Sequence, residues 1–178
     1  VIVPGGKPTM FYAILALAGQ GDEVIYPNPG FPIYESMIQF AGATAVSCPI
    51  RSSNAFALDP EDVISRITAK TKLVILNSPA NPTGGVTPQA ELDRVLAALK
   101  DRPDIWILSD EIYSRILYDG AEHSSPMSDP EIRDRVILLD GWSKTYAMTG
   151  WRMGFGVMRP DLAKQIAKLM VNSNSCTA

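Results

Sequence analysis

The chain has 178 residues, 46% of them apolar and 20% charged, which is about one domain's length, long enough to bury ~70% of the unfolded surface without staples and too apolar for disorder. Sixteen basic against nineteen acidic residues, a net charge of −3, exclude a nucleic-acid partner held by a basic face. No run of ~18 apolar residues offers a transmembrane helix, so no membrane partner is expected.

Val1-Ile2-Val3 reads as strand, and Pro8 to Leu17 as a helix with Met10, Phe11, Ile14, Leu15 and Leu17 apolar, Pro8 sitting in the first turn where a missing N–H is harmless. Glu23 to Tyr26 reads as a strand ending at the turn cluster Pro27-Asn28-Pro29-Gly30. A helix over Ile33 to Phe40, with Ile33, Met37, Ile38 and Phe40 apolar, and a strand over Thr44 to Pro49 follow. Asp59-Pro60-Glu61-Asp62 starts a helix reaching Ile67; Lys72 to Asn77 is a fully apolar strand; Pro88 to Lys100 is an amphipathic helix. Ile105 to Leu108, ending at Ser109-Asp110, and Val136 to Leu139, ending at Asp140-Gly141, are further buried strands. Phe155 to Met158 is a last strand, and Pro160 opens a last helix.

Strands apolar on both faces, alternating with helices, imply βαβ units and a mainly parallel sheet covered on both sides. Cys48 and Cys176 share no metal-ligand spacing and point to a reducing, cytoplasmic compartment. The chain opens inside an apolar β-branched run and closes with neither a helix cap nor a polar tail. That pattern is expected of a portion of a larger protein.

Ligands of such sheets bind beyond the carboxyl ends of the strands, so the residues following each strand are where chemistry is sought. Gly5-Gly6-Lys7 is either a phosphate cradle, where free N–H groups and the helix dipole favour an anion, or a tight strand-to-helix turn. It matches neither the P-loop nor the dinucleotide fingerprint. Asn81-Pro82-Thr83-Gly84 is a turn sequence in its own right. A carboxylate at Asp110 lies at the bottom of a crevice or caps a helix, and Tyr113 faces that crevice or packs. Gly141 to Gly154 holds Lys144 and Arg152, eight residues apart, among aromatic, Met and Gly residues. A lysine flanked by apolar groups is where an amine is tuned for Schiff-base chemistry; a snorkelling surface lysine fits so mixed a segment poorly. His123, the only histidine, falls in the polar stretch Asp119 to Pro130. It reads as a solvated loop residue, leaving no His-based triad and no metal site.

Asn81-Pro82-Thr83-Gly84, Ser109-Asp110-Glu111-Ile112-Tyr113 and Ser143-Lys144 with Gly150-Trp151-Arg152-Met153-Gly154, in this order, carry a resemblance. The chain resembles the large domain of the fold-type-I aminotransferases that depend on pyridoxal 5'-phosphate (PLP), the aspartate aminotransferase superfamily. The resemblance covers essentially the whole chain. It implies an α/β fold, a three-layer α-β-α arrangement on a mainly parallel sheet, with residues 1–178 as the PLP-binding large domain. It also implies transfer of an amino group from an amino acid to a 2-oxo acid, in a full-length protein that is a homodimer.

By the same resemblance, Lys144 is the Schiff-base lysine, Asp110 the carboxylate that keeps the pyridine nitrogen protonated, and Tyr113 with Asn81 the pair that hydrogen-bonds the cofactor 3'-oxygen. Arg152 grips the phosphate, Gly6 and Lys7 donate to it from the backbone, and Phe31 stacks on the cofactor ring. An aspartate aminotransferase usually carries Trp there, so aspartate specificity does not follow. Gly141 stands where many relatives carry a phosphate-binding Ser or Thr, and Ser143 does not inherit that role. Relatives also have an N-terminal segment and a C-terminal small domain with the arginine for the substrate α-carboxylate. Neither is among these residues, and the chain alone is expected to be inactive. A carbon–sulfur β-lyase, a cyclopropane-forming synthase or a non-catalytic cofactor-binding fragment would share the same residues.

Overall fold

The computed structural model describes residues 1–174. Its strands are β1 (Ile2–Val3), β2 (Glu23–Asn28), β3 (Thr44–Pro49), β4 (Thr71–Asn77), β5 (Trp106–Asp110), β6 (Val136–Gly141) and β7 (Gly154–Val157). Its helices are α1 (Lys7–Leu17), α2 (Ile33–Phe40), α3 (Pro60–Ile64), α4 (Gln89–Lys100) and α5 (Pro160–Val171). The strands form one sheet in the order β1-β7-β6-β5-β4-β2-β3. β3, β2, β4, β5 and β6 run parallel, and β7 is antiparallel to both of its neighbours.

Strand alternation divides the core in two. Leu73 and Ile75 of β4, Leu108 of β5 and Ile137 and Leu139 of β6 face a cluster built with Met10 and Ile14 of α1, Tyr34 and Ile38 of α2, and Leu162 and Ile166 of α5. Val74 and Leu76, Ile107 and Val136 face the opposite cluster, with Val63 of α3 and Leu92, Val95, Leu96 and Leu99 of α4. Period-two alternation with both faces apolar is what covering by two helical layers requires. The expected α-β-α arrangement on a mainly parallel sheet is the one observed.

Two local expectations fail for identifiable reasons. α3 ends at Ile64, not Ile67, because its last turn tightens into Arg66-to-Val63 and Ile67-to-Ile64 bonds and a Thr68–Thr71 turn then feeds β4. On α2, Phe40 is 72% exposed, and its place in the core is taken by Tyr34, which is completely buried.

β7 and β1 are packed without room for side chains where they meet the loop before α1. A Cβ on Gly154 would lie 2.6 Å from the carbonyl carbon of Gly5 and 2.7 Å from the nitrogen of Gly6. Gly154→Ala should therefore destabilise the fold by about 1–3 kcal/mol. Chemical denaturation should show a lower midpoint with an unchanged slope; an unchanged midpoint would mean that the Gly5-Gly6 loop yields freely.

Candidate active site

The carboxyl edge of the sheet holds a cavity of about 240 Å³. Gly6, Lys7, Phe31, Asn81, Asp110, Tyr113, Lys144 and Arg152, the eight residues singled out from the sequence, all line it. The cavity lies just under the ~300–1,000 Å³ range of drug-sized sites, and so suits one small substituted ring.

Asp110 forms the floor. It ends β5 beside Asn77 of β4 and is 5% exposed. It caps no helix; the chain beyond it makes a turn. Its Oδ2 accepts a hydrogen bond from the Tyr34 hydroxyl at 2.7 Å, and its Oδ1 accepts a longer one from the Ile112 N–H at 3.3 Å. Burial pushes the Asp110 carboxyl up to about 6, against the pull of the Tyr34 bond, with Asp140 and Glu111 adding to the rise. The Tyr34 phenol is lifted well above its usual range, by burial first and then by the Asp110 charge. It therefore stays protonated as the donor.

Asn77 ties the neighbouring loop to this floor. Its Nδ2 donates to the Asp110 carbonyl at 3.1 Å, and its Oδ1 accepts from the Asn81 N–H at 2.9 Å. Asn81 is thereby held with its Nδ2 3.5 Å from the Tyr113 hydroxyl, near the outer limit of a hydrogen bond. Both polar groups are left able to meet a third atom between them. The exposed Lys144 stands with its Nζ 5.6 Å from the centre of the Tyr113 ring.

The opposite wall is cationic. α1 begins at Gly6 with no side-chain cap and no acidic residue in its first turn, so its free N–H groups and dipole favour an anion. Lys7 Nζ lies 5.5 Å from the centre of the Phe31 ring. The Arg152 guanidinium sits over Gly5, where any Cβ would overlap it, and Nη1 donates to the Thr149 carbonyl at 2.7 Å. Arg152 itself adopts φ 50°, a left-handed conformation costly for a non-glycine residue and concentrated at functional sites.

An uncapped helix start with two cations, a buried carboxylate, an aromatic wall and a primary amine fit a small ring bearing an anionic group, a basic ring atom and an electrophile. Among the described residues, no cluster of His, Cys, Asp and Glu side chains is placed to hold a metal ion. None of their helices is long and apolar enough to cross a membrane. Cys48 is a buried thiol pushed up to about 11 by burial, an inert core residue; Cys176 lies outside the described residues.

Sequence reasoning missed several neighbours. Ser143 and Thr149 also line the cavity, adding two hydroxyls near Lys144 and Arg152. Gly141 has a steric reason to lack a side chain: its Cβ would lie 2.9 Å from the Gly154 Cα across the β6–β7 pair. Tyr34 carried one legible signal, a phenol on the apolar side of a helix, because a buried hydroxyl needs a partner.

His123 is a correction. Its side chain is only 18% exposed, and its Nε2 lies 2.8 Å from Glu111 Oε2. Glu111 follows Asp110 and turns to the other face of the sheet, where Ser109 and Ser125 donate to its Oε1 at 2.9 and 2.6 Å. A buried carboxylate requires donors, and the loop carrying His123 folds back to supply them.

Asp110 also gives stability a pH dependence. A carboxyl higher in the folded state than in the unfolded one binds its proton more tightly when folded. Its contribution is present below about pH 4 and is lost as pH rises through about 6. Asp110→Asn should thus stabilise the ligand-free protein relative to wild type by roughly 3 kcal/mol more at pH 8 than at pH 4. Urea unfolding at the two values tests this, and an equal difference at both would show that Asp110 titrates normally.

The family model described as aminotransferase class I and II matches residues 1–178. The chain is 35% identical over 178 residues to an aspartate aminotransferase of Sulfurisphaera tokodaii, covering 99% of this chain and 44% of that protein. It is 41% identical over 169 residues to an arginine–pyruvate transaminase of Pseudomonas aeruginosa, covering 95% and 42%. Among solved structures, the aspartate aminotransferase from Rhizobium meliloti superposes with a TM-score of 0.95 at 34% identity, over 100% of this chain and 45% of that one. The aromatic aminotransferase from Pyrococcus horikoshii gives 0.95 at 31%, over 99% and 47%. The chain thus spans under half the length of the relatives it matches. With the whole chain matched and the fold shared, it belongs to the class I and II aminotransferases.

Proposed function

We propose that these residues are the cofactor-binding large domain of a PLP-dependent aminotransferase that moves an amino group from an amino acid to a 2-oxo acid. The observation that carries this reading is the meeting of an amine, a buried carboxylate and a guanidinium, Lys144, Asp110 and Arg152, in one cavity of about 240 Å³. PLP, when bound, supplies an aldehyde that captures amines and a pyridine ring that stores the electron pair released at the substrate α-carbon.

Each residue then has a task. Lys144 would hold the aldehyde through Nζ, and the same amine would be the base that takes the substrate α-proton. Asp110 would keep the ring nitrogen protonated, because an anion on a dry floor favours a neighbouring cation. Asn81 and Tyr113 would donate to the ring 3'-oxygen, and Phe31 would pack on the ring face. Arg152, Lys7 and the start of α1 at Gly6 hold the phosphate, the guanidinium by its fork geometry. The reading extends to a cytoplasmic homodimer in which a second copy covers Tyr146 and Trp151, both exposed in the loop that carries Lys144 and Arg152.

Wild-type protein mixed with PLP should turn yellow, and borohydride should bleach the colour irreversibly and leave added mass on the peptide containing Lys144. Lys144→Ala should lose this while keeping its unfolding midpoint; a trapped adduct in the variant would remove Lys144 from the role.

Arg152→Ala should weaken PLP binding by roughly 1–3 kcal/mol by removing a charge-assisted, fork-shaped partner from the phosphate, and should leave pyridoxal little affected. Titrations of the two ligands decide, since equal losses would show that Arg152 does not hold the phosphate.

A further inference from the structure

We infer that Tyr34, which does not line the cavity, is a positioning residue for the ring-nitrogen end of the cofactor: its hydroxyl aims the Asp110 carboxylate while its ring sets the wall made by Phe31. The inference rests on the PLP reading of the cavity and assigns a role to a residue that the reading does not use.

Tyr34 lies in the first turn of α2, three residues after Phe31. The Tyr34 N–H donates to the Phe31 carbonyl at 3.0 Å, so the two side chains leave adjacent points of one turn. Their rings meet edge to face, 6.0 Å between centres at 80°, a favoured aromatic geometry. The other end of the same phenol reaches Asp110 Oδ2 at 2.7 Å. One fully buried side chain thus spans two walls of the cavity and fixes the angle between them.

The hydroxyl matters because Asp110 has few other restraints. Among the described residues, the only other hydrogen bond to its carboxylate comes from the Ile112 N–H, at 3.3 Å. A carboxylate offers about four acceptor positions. Two are filled from within the chain, leaving others for a ligand N–H. Without the phenol, the group could rotate about its one long bond and lose its aim.

The phenol also helps to keep Asp110 charged. Glu111 on its own strand end and Asp140 on β6 push its carboxyl up, as burial does. The Tyr34 hydroxyl, first, and the Ile112 N–H pull it down. Asp140 is itself raised by burial and by Glu111, and is drawn down first by the Gly141 N–H and then by Arg115 and His123. Tyr113 is the further group facing the phenol. Removing the hydroxyl takes away the strongest of these opposing contacts, and a neutral Asp110 cannot hold a proton on a ring nitrogen.

The test compares, in the full-length protein, the dissociation constants of PLP and of its analogue with carbon in place of the ring nitrogen, from pH 5 to 9. Wild type should prefer PLP. Tyr34→Phe keeps the ring against Phe31 and should reduce that preference about 10- to 100-fold. It should also move the pH midpoint of the preference upward by about one to two units, with the affinity for the analogue unchanged. In an Asp110→Asn background, the same change should cause no further loss of preference. Equal weakening of both ligands, an unmoved midpoint or an undiminished loss in the Asn background would each overturn the inference and leave Tyr34 as packing. Wild type that binds both ligands without preference overturns the inference alone; wild type that binds neither overturns the PLP reading with it.

Discussion

The direction of β7 decides where the chemistry of this sheet can be. β6 leaves the sheet at its carboxyl end, and residues 142–153 return without a crossover, so β7 starts beside the point where β6 stops. The two ends of that connection are clasped by the Trp142 N–H on the Met153 carbonyl and by the Trp142–Phe155 ring contact. β1 pairs antiparallel with β7 and therefore ends at the same edge. Lys144, Arg152 and Gly5-Gly6-Lys7 thus join Asn81, Asp110 and Tyr113. A helical crossover after β6 would have started β7 at the far edge, about 20 Å away.

Within that frame the floor is a compromise between two demands. Asp110 must be dry to act strongly on a ligand, since electrostatic terms grow as water is excluded. Dryness also favours its protonated form. The Tyr34 bond opposes that tendency without admitting water. Glu111, one residue on, faces the same difficulty on the other side of the sheet and meets it with Ser109, Ser125 and His123. The strand end is therefore gripped from both faces, and the turn carrying Tyr113 follows from a fixed point.

Much of this was legible in the sequence. Buried strands such as Leu73-Val74-Ile75-Leu76 declare themselves by being apolar on both faces, and the rule that ligands sit beyond strand ends then leads to the loops that hold the eight residues singled out from the sequence. The parts that stayed hidden depend on contacts between distant segments. In Ile33 to Phe40 the apolar side of the helix offers both Tyr34 and Phe40, and what draws Tyr34 inward is its partner, the carboxylate of Asp110, 76 positions later. His123 lies among polar residues, and only the burial of Glu111 explains why it is drawn out of solvent. Gly141 read as a gap in a motif, while its cause is the backbone of Gly154 across a strand pair.

The pairing of β1 with β7 has a consequence for synthesis on the ribosome. Val1 bonds to Gly156, 155 positions later, whereas β2 to β6 each find a partner among strands that emerge sooner. At ~5–20 residues per second, the first strand waits roughly 8–30 s for its neighbour. During that interval the central parallel strands can assemble, while the Gly5-Gly6 loop and the start of α1 have no β7 to rest on. The cationic wall is therefore the last part of the cavity to be built, and a nascent chain can present the Asp110 floor well before that wall stands opposite it.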